Sequence, residues 1–441
     1  ASNSRKKMEK LHDDIAAIKV FDPACGSGNF LVIAYKELRR LEHAILQRQA
    51  DLAKADALFD KSRINIENFF GIEIDDFAVE VAILSLWIAK HQMNREFERQ
   101  FKVAIPLIPL KETGQIRAGN ATRIDWNVVC PNNGDEEIYL ISNPPYKGGK
   151  SQPPELKADY PFVFGEEPYS KDLDYIALWF IKGALYIAGT QAELAFVSTN
   201  SVTQGEHVGL MFPMIERSGV EIGFAHTSFR WENNAKSNAG VTVVVIGLRS
   251  VSDDPKYLYI DDLRHEATNI NGYLADAGNV YIFRRTKPVS KFLPRMTLGS
   301  MPKDGGNLLI EPSELASAEN TDSRVLRWVK RYTGAQEFIN GIERYCLWIP
   351  DEDLAEAEKV TFIARRLQAV SRWRRTSTAR TTADFAVYPN RFKQVAYKPT
   401  DAIVVPRVSS ENRPYIPMGY LGSGTVVSDA ANAVYDLSLI H

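Results

Sequence analysis

The sequence predicts an α/β protein: a Rossmann-like, doubly wound sheet followed by a second, mixed α+β domain. Three observations carry this. From Ile18 to about Ser250, short apolar runs of strand character alternate with helical stretches, the pattern of a doubly wound sheet. A glycine-rich turn, Asp22-Pro23-Ala24-Cys25-Gly26-Ser27-Gly28-Asn29-Phe30, follows the first of those runs. Beyond Glu311 the periodicity shortens, and turn residues such as Tyr388-Pro389-Asn390 and Arg413-Pro414 become frequent. At 441 residues the chain is too long for one simple domain. The Gly/Pro-punctuated stretch from Gly272 to Gly306 is the expected hinge or packed connection, with domains at 1–290 and 291–441.

The first strand ends at Asp22, and an amphipathic helix follows from about Phe30 to Gln47. A charged, alanine-rich second helix is expected over Asp51 to Asp60. The second strand is Phe69 to Ile74 and the helix after it Phe77 to Asn94. A third strand ends near Arg117 to Asn120, and a fourth covers Ile138 to Ser142. A helix around Tyr175 to Ile187 precedes strands at Glu193 to Val197 and near Val220 to Ala225. The β-branched run Val241 to Ile246 closes the series.

Composition excludes several classes. No stretch reaches the ~18 to 20 apolar residues of a membrane span; the longest, Val81 to Ala89, reads as a buried helix. Ala1 to Lys10 is polar and basic, unlike a secretory signal. Three widely spaced cysteines, Cys25, Cys130 and Cys346, argue against a disulfide framework and a zinc site. A cytoplasmic protein without a resident metal is expected. The net charge of −2 hides an asymmetry: Val360 to Arg413 holds 11 Lys/Arg against 3 Asp/Glu, a formal +8, and the remainder carries −10. One polyanion-facing surface would produce this, as would a solvated basic face. The interleaved Trp373, Phe385, Tyr388, Phe392 and Tyr397 fit nucleic-acid contact or a core.

Two segments carry the chemistry. In the glycine turn, Gly26 and Gly28 clear side chains from a backbone that a nucleotide-like cofactor approaches closely. The helix amino terminus at Asn29 and Phe30 faces the cofactor's carboxylate. Glu73 ends the second strand, beside Ile74, where a carboxylate accepts both ribose hydroxyl protons. Asp75 is its rival, and helix capping is the other reading of Asp75 or Asp76. Asn120, followed by Ala121, is either an acceptor for the cofactor's adenine amine or an ordinary turn residue.

The second segment, Asn143-Pro144-Pro145-Tyr146, also follows a strand. If the Asn143 side-chain oxygen and the Pro144 carbonyl each accept one N–H of an exocyclic amine, its lone pair pyramidalises toward a methyl group. Pro145 completes the turn, and Tyr146 would stack on a base that must leave the duplex. Asn143 also borders the cofactor. The pair of segments points to methyl transfer from S-adenosyl-L-methionine (SAM) to the exocyclic amine of a base. Phe229 and Trp231, in Ser228 to Ala235, are candidates to close the base's other face, or core residues. Asp174-Tyr175 and Ser198-Thr199-Asn200-Ser201 are expected to line the pocket.

The order of glycine turn, acidic strand end and Asn-Pro-Pro-Tyr resembles the gamma class of adenine-N6 DNA methyltransferases. Longer strings are similar to the type IIL (MmeI-like) restriction–modification enzymes. These are Ser142 to Tyr146 with Leu173-Asp174-Tyr175-Ile176-Ala177, Phe196 to Glu206, and Glu337-Phe338-Ile339-Asn340-Gly341. The similarity runs from about residue 15 to 435. It implies a class I SAM-dependent methyltransferase domain at 1–290 and a DNA target-recognition domain at 291–441. It also implies SAM as cofactor and double-stranded DNA as partner; the residues do not fix the oligomeric state, and a monomer is the expectation. Arg365, Arg372, Arg374, Arg375, Arg391, Lys393, Arg407 and Arg413 would face the DNA, and Ser409 to Arg413 matches a recurrent string of that domain.

Full-length family members carry an amino-terminal metal-dependent nuclease. Its carboxylate-x-Lys signature is matched only by Glu155-Leu156-Lys157, which lacks the preceding acidic strand and reads as loop. A fragment is therefore expected, without the nuclease, most of an upstream SAM-covering segment and a carboxy-terminal helical part. Asp436 to His441, without cap or turn, reads as foreign to the native protein. Methylation of protein glutamine, of an RNA base or of cytosine N4 (where Ser is commoner than Asn143), and a non-catalytic DNA-binding module, are the readings left open.

Overall fold

The computed structural model describes residues 2–53, 62–103, 114–231, 241–283, 285, 287–410 and 413–436. The chain divides into two units, residues 1–284 and 285–441. The first unit begins with α1 (Ser2–Ala17), β1 (Lys19–Asp22) and α2 (Asn29–Ala53). Next come β2 (Phe69–Glu73), α3 (Asp76–Phe101), β3 (Gln115–Ala118), α4 (Trp126–Val129) and β4 (Ile138–Ser142). Short helices α5 (Pro154–Lys157) and α6 (Tyr160–Phe164) lead to α7 (Ala177–Ile187), β5 (Glu193–Thr199) and α8 (Glu206–Arg217). The unit closes with β6 (Val220–Trp231), β7 (Val241–Ser250), β8 (Lys256–Ile260) and β9 (Leu263–Ala267).

The strands form one sheet in the order β3-β2-β1-β4-β5-β7-β6-β8-β9. β1 to β5 are parallel, and β7 runs antiparallel to both β5 and β6. Parallel strands are covered on both faces and therefore read as nearly unbroken apolar runs. One face packs Phe21, Leu140, Phe180 and Phe196 with Trp126; the other packs Val20, Leu31, Tyr35, Phe69 and Leu86. The chain winds outward from β1 to β3 and returns to β4 on the opposite side of β1. The carboxyl ends of β1 and β4 thus flank the switch point, where ligands of such sheets bind.

Several elements differ from the sequence reading. α1 is a full helix whose Ile15 enters the core. It is held by a buried carboxylate, Glu42, which accepts from His12 Nε2 (3.0 Å), Ser62 Oγ (2.6 Å) and the Arg63 amide (2.7 Å), beside Arg39. α2 continues through Asp51, and the expected helix beyond Ala53 lies outside the described residues. Val241 does not open the last strand: β8 and β9 extend the sheet through a two-residue turn in which Asp261 and Asp262 both have positive φ. Asn-Gly or Asp-Gly would have announced that hairpin; Asp-Asp does not. Glu155-Leu156-Lys157 is one helical turn rather than loop.

The second unit is mixed. It contains β10 (Met296–Leu298), β11 (Leu309–Ile310), α9 (Pro312–Thr321), β12 (Val329–Thr333), α10 (Ala335–Asn340) and β13 (Tyr345–Leu347). After α11 (Leu354–Ala357), α12 (Thr361–Arg375) and α13 (Arg380–Ala383) come β14 (Ala402–Pro406), β15 (Gly419–Leu421), β16 (Thr425–Val427) and β17 (Ala431–Tyr435). Two four-stranded sheets result, β10-β17-β14-β15 and β11-β13-β12-β16. Ile363, Leu367 and Val370 of α12 recur at helical spacing and bury against Leu308, Val325, Leu347 and Val426. The string Glu337 to Gly341 forms α10: Glu337 caps its start through the Gly334 amide, and Gly341 ends it in the left-handed region. Asp436 is described; Leu437 to His441 lie outside the described residues.

Gly28 shows how tightly the first turn is built. Its φ of +83° suits glycine, and a Cβ there would stand 3.1 Å from the Ala82 Cβ and 3.2 Å from its Cα, on α3. Gly28→Ala combines left-handed strain with this overlap. It should cost roughly 2 kcal/mol, read as a lower urea midpoint with an unchanged slope; an unaltered midpoint would contradict the packing.

Candidate active site

The glycine turn is fixed from three sides. Asp22, 1% exposed, accepts on Oδ1 from the Ala24 amide (3.0 Å) and from Ser142 Oγ (2.6 Å). Trp179 Nε1 donates to the Pro23 carbonyl (3.1 Å), and the Cys25 amide to the Ile72 carbonyl (3.1 Å). Glu73 reaches across from β2, its Oε2 accepting from the Gly26 amide (2.8 Å) and its Oε1 from the amides of Ile74 (2.9 Å) and Asp75 (3.1 Å). Gly71 on β2 leaves room for Cys25, whose Sγ would lie 2.9 Å from a Cβ there. Asp75 caps α3 by accepting from the Ala78 amide, so of its two readings the cap is the one present.

The elbow after β4 is held from behind. Asp174, buried, accepts from the Lys147 amide (2.9 Å), and the Tyr175 amide donates to the Lys147 carbonyl (3.0 Å). Gln152 Nε2 donates to that same carbonyl (2.8 Å). Pro144 is buried within the turn, while Asn143 and Pro145 are exposed and the Tyr146 ring is 47% exposed. Among the described residues the Asn143 amide has no hydrogen-bond partner.

Turn and elbow share one cleft of about 470 Å³. Pro23 and Ala24 line it from the glycine turn, Glu73 from the end of β2 and Ile74 just beyond it, and Asn120 and Ala121 from the turn after β3. Asn143, Pro145 and Tyr146 close the opposite side with Leu156, Tyr175 and Trp179. Asp22, Cys25, Gly26 and Gly28 stand behind this wall and shape it; Asn29 and Phe30 open α2. Phe229 and Trp231 lie not in a loop but at the end of β6. They are 38% and 37% exposed with ring centroids 6.3 Å apart, so neither is core, and neither is part of the cleft lining. Glu232 to Ala235 lie outside the described residues.

Asn120 turns out to be a turn residue with its oxygen occupied. Its Oδ1 accepts from the Thr122 amide (2.9 Å) and Oγ1 (2.7 Å), and its Nδ2 donates to Asp159 (3.0 Å). An adenine amine would have to displace those bonds. Asp159, buried beneath, also takes Arg123 Nε (2.7 Å) and the Tyr175 hydroxyl. Burial pushes the Asp159 carboxyl up, but the bonds from Tyr175, Asn120 and Arg123 outweigh it and leave it below its usual range. The sequence reading missed Asp159 and Trp179. Trp179 was legible from the helix expected over Tyr175 to Ile187, in which it follows Tyr175 by four residues; in the structure α7 opens only at Ala177, and both side chains still line the cleft.

Asp22 behaves oppositely. Burial pushes its carboxyl up to about 7 against the Ser142 and Ala24 hydrogen bonds, and its buried Oδ2 has no partner among the described residues.

In the second unit the basic residues divide. Arg365, Arg372, Arg375, Arg407 and Arg413 are exposed. Arg391 is exposed but pairs with Asp351 and lies 4.5 Å over the Tyr388 ring. Lys393 Nζ donates to Thr381 and Thr382 (2.9 Å each). Arg374 does not face outward and leaves the DNA-facing set. It is fully buried and donates to the carbonyls of Pro302, Lys303, Tyr388 and Arg391 at 2.7–2.8 Å. It continues the buried stripe Ile363, Leu367, Val370, which is the physical reason. Of the interleaved aromatics, Phe392 is core, while Trp373 and Tyr388 are 40% and 43% exposed. In the string Ser409 to Arg413, Glu411 and Asn412 lie outside the described residues.

Comparison with known proteins matches residues 1–260 to the MmeI DNA-methyltransferase domain and residues 276–441 to the MmeI target recognition domain. DNA methyltransferase A of Bacillus subtilis (strain 168) is 44% identical over 435 residues, covering 98% of this chain and 49% of that protein. The solved structure of the Type IIL restriction-modification enzyme MmeI in complex with DNA superposes with a TM-score of 0.86 at 36% identity. It covers 99% of this chain and 59% of that one. The chain thus spans about half the length of the curated relative it matches.

Two outcomes follow from the geometry. Asp22 holds its proton more tightly in the fold than in the unfolded chain, so its contribution to stability is present at low pH and is lost as pH rises through about 7. The fall in urea midpoint from below to above that value should be smaller in Asp22→Asn than in the parent; equal falls would refute the assignment. Arg374→Ala should destabilise the second unit by roughly 3 kcal/mol, whereas Arg372→Ala should stay within about 0.5 kcal/mol. Thermal unfolding of the two variants distinguishes them.

Proposed function

The chain belongs to the MmeI family, joining its DNA-methyltransferase and target recognition domains, and from that premise we propose that it methylates the N6 amine of adenine in duplex DNA. The proposed donor is SAM, the setting a restriction–modification enzyme, and the target a short sequence chosen by residues 285–441. The observation that carries the reading is the shared cleft, which brings Pro23, Ala24, Glu73 and Ile74 to the same rim as Asn143 and Tyr146.

The residues present fit SAM. The cleft volume lies in the range of cofactor sites, about 300–1,000 Å³. The glycine turn lines the cleft through Pro23 and Ala24, and the Glu73 carboxylate is held at the end of β2. When bound, SAM supplies an electrophilic methyl group on a sulfonium whose leaving group is a neutral thioether. Glu73 would hold the ribose hydroxyls, and Ile74 would give the adenine an apolar face.

The chain's own residues do the rest. Asn143 Oδ1 and the Pro144 carbonyl accept the two N–H groups of the target amine, turning its lone pair out of conjugation. Both acceptors gain as positive charge builds on nitrogen, so the rate comes from positioning and electrostatics without a strong base. Asp174 and Gln152 fix the Lys147 end of the elbow, so its acceptors need not reorganise. Tyr146, half exposed, offers a ring for the extruded base.

Tritium transfer from labelled SAM into duplex DNA tests this. Asn143→Ala should lower the rate on the order of 10²–10³-fold with little change in DNA affinity, and the product should be N6-methyladenine. Transfer undiminished by the substitution, or a product methylated elsewhere, rejects the mechanism.

A further inference from the structure

The stretch from Ala277 to Lys303 contains six Lys/Arg and no Asp/Glu, a second basic run separate from the one in Val360 to Arg413. Arg285, Lys287, Lys291 and Arg295 within it are exposed. Among the described residues none of the four has a carboxylate partner. Some exposed arginines elsewhere are neutralised nearby, Arg40 by Glu37, Arg324 by Asp322 (2.7 Å) and Arg327 by Asp353 (2.9 Å), whereas Arg372 and Arg375 in the other basic stretch, like these four, have no carboxylate partner among the described residues. Unpaired like charges in sequence repel one another, and an anion brought to them would relieve that repulsion.

Apolar groups alternate with these charges. Phe283, Phe292 and Leu293 are 58%, 83% and 56% exposed, and Lys291 Nζ lies 5.2 Å over the Phe292 ring. No helix or strand is assigned to the described residues between β9 and β10. Ten extended residues reach at most about 33–36 Å, and duplex DNA carries a negative charge every ~1.7 Å along its axis. A chain alternating cations with apolar side chains matches a backbone that alternates phosphates with deoxyribose.

We propose that Arg285, Lys287, Lys291 and Arg295 form a sequence-independent phosphate grip on duplex DNA, distinct from the basic face between Val360 and Arg413. The proposal rests on the reading of the chain as a DNA methyltransferase. It assigns affinity, and none of the sequence choice, to this stretch.

The test replaces all four residues by alanine and measures binding by fluorescence anisotropy on two unrelated mixed-sequence duplexes, between about 50 and 200 mM salt. The slope of log K against log salt should become shallower by about 0.9 for each phosphate no longer neutralised, with the same weakening on both duplexes. A variant exchanging Arg for Lys and Lys for Arg at the four positions should keep the parent slope. An unchanged thermal midpoint shows that the alanine protein is folded. An unaltered slope, or a weakening confined to one duplex, overturns the proposal. So does loss of binding to phosphatidylserine vesicles with DNA binding intact, which would make the stretch a membrane-binding segment. If the parent chain itself fails to bind DNA, the proposed function falls too; if it binds and transfers methyl groups while the alanine variant keeps its slope, only this inference falls.

Discussion

One buried hydrogen bond, from Ser142 Oγ to Asp22 Oδ1, ties the end of β1 to the end of β4, and the geometry of the cleft depends on it. Ser142 immediately precedes Asn143, and Asp22 immediately precedes Pro23, so this 2.6 Å contact carries the parallel pairing of β1 and β4 up to the point where the two loops leave the sheet. Burying a carboxylate this deeply is unfavourable unless its lone pairs are used. Here one oxygen accepts twice and the other has no partner among the described residues. The raised carboxyl pKa is the direct expression of that cost.

The elbow is built on a similar division between buried supports and an exposed working face. Pro144 is buried and its neighbours are braced through Lys147 by Asp174, Tyr175 and Gln152, leaving the Asn143 amide without a partner among the described residues and the Tyr146 ring half exposed. An exposed, unpaired amide on a rigid support is what a group that must receive a substrate amine requires. The opposite wall is braced just as heavily. Lys182 donates to the carbonyls of Ala121, Thr122 and Ile124, and burial lowers its ammonium to about 8. Asn120 is held in the same turn by Thr122 and Asp159 while it lines the cleft.

Much of this was legible in the chain, for physical reasons. Parallel strands read as apolar runs because both faces are covered, which is why Ile138 to Ser142 could be bounded to the residue. The glycine turn was legible because left-handed backbone at Gly26 and Gly28 restricts the choice of residue. Tertiary partners were not legible: nothing local tells that Glu73 reaches the Gly26 amide, 47 residues away, or that Asp159 underlies the cleft. The hairpin of β8 and β9 escaped because Asp-Asp is an uncommon solution to a two-residue turn. Arg374 shows the reverse error. Its place on the stripe Ile363, Leu367, Val370 carries it inside, although its charge counts toward the basic block.

Arg374 also sharpens the electrostatic argument. Composition counts it toward a basic face, yet its charge is spent on four carbonyls inside the second unit. Two stretches nevertheless carry a strong net positive charge. Outside Ala277 to Lys303 and Val360 to Arg413 the chain carries 36 basic against 52 acidic residues, a formal −16. A body of that sign repels a polyanion, and the repulsion is weakest where the two basic stretches lie. An exposed basic residue there has two effects: it adds an attraction to phosphate, and it leaves fewer orientations in which duplex DNA can approach. A near-neutral net charge is therefore consistent with a DNA-directed protein, provided the positive residues are both clustered and unneutralised, as Arg285, Lys287, Lys291 and Arg295 are among the described residues.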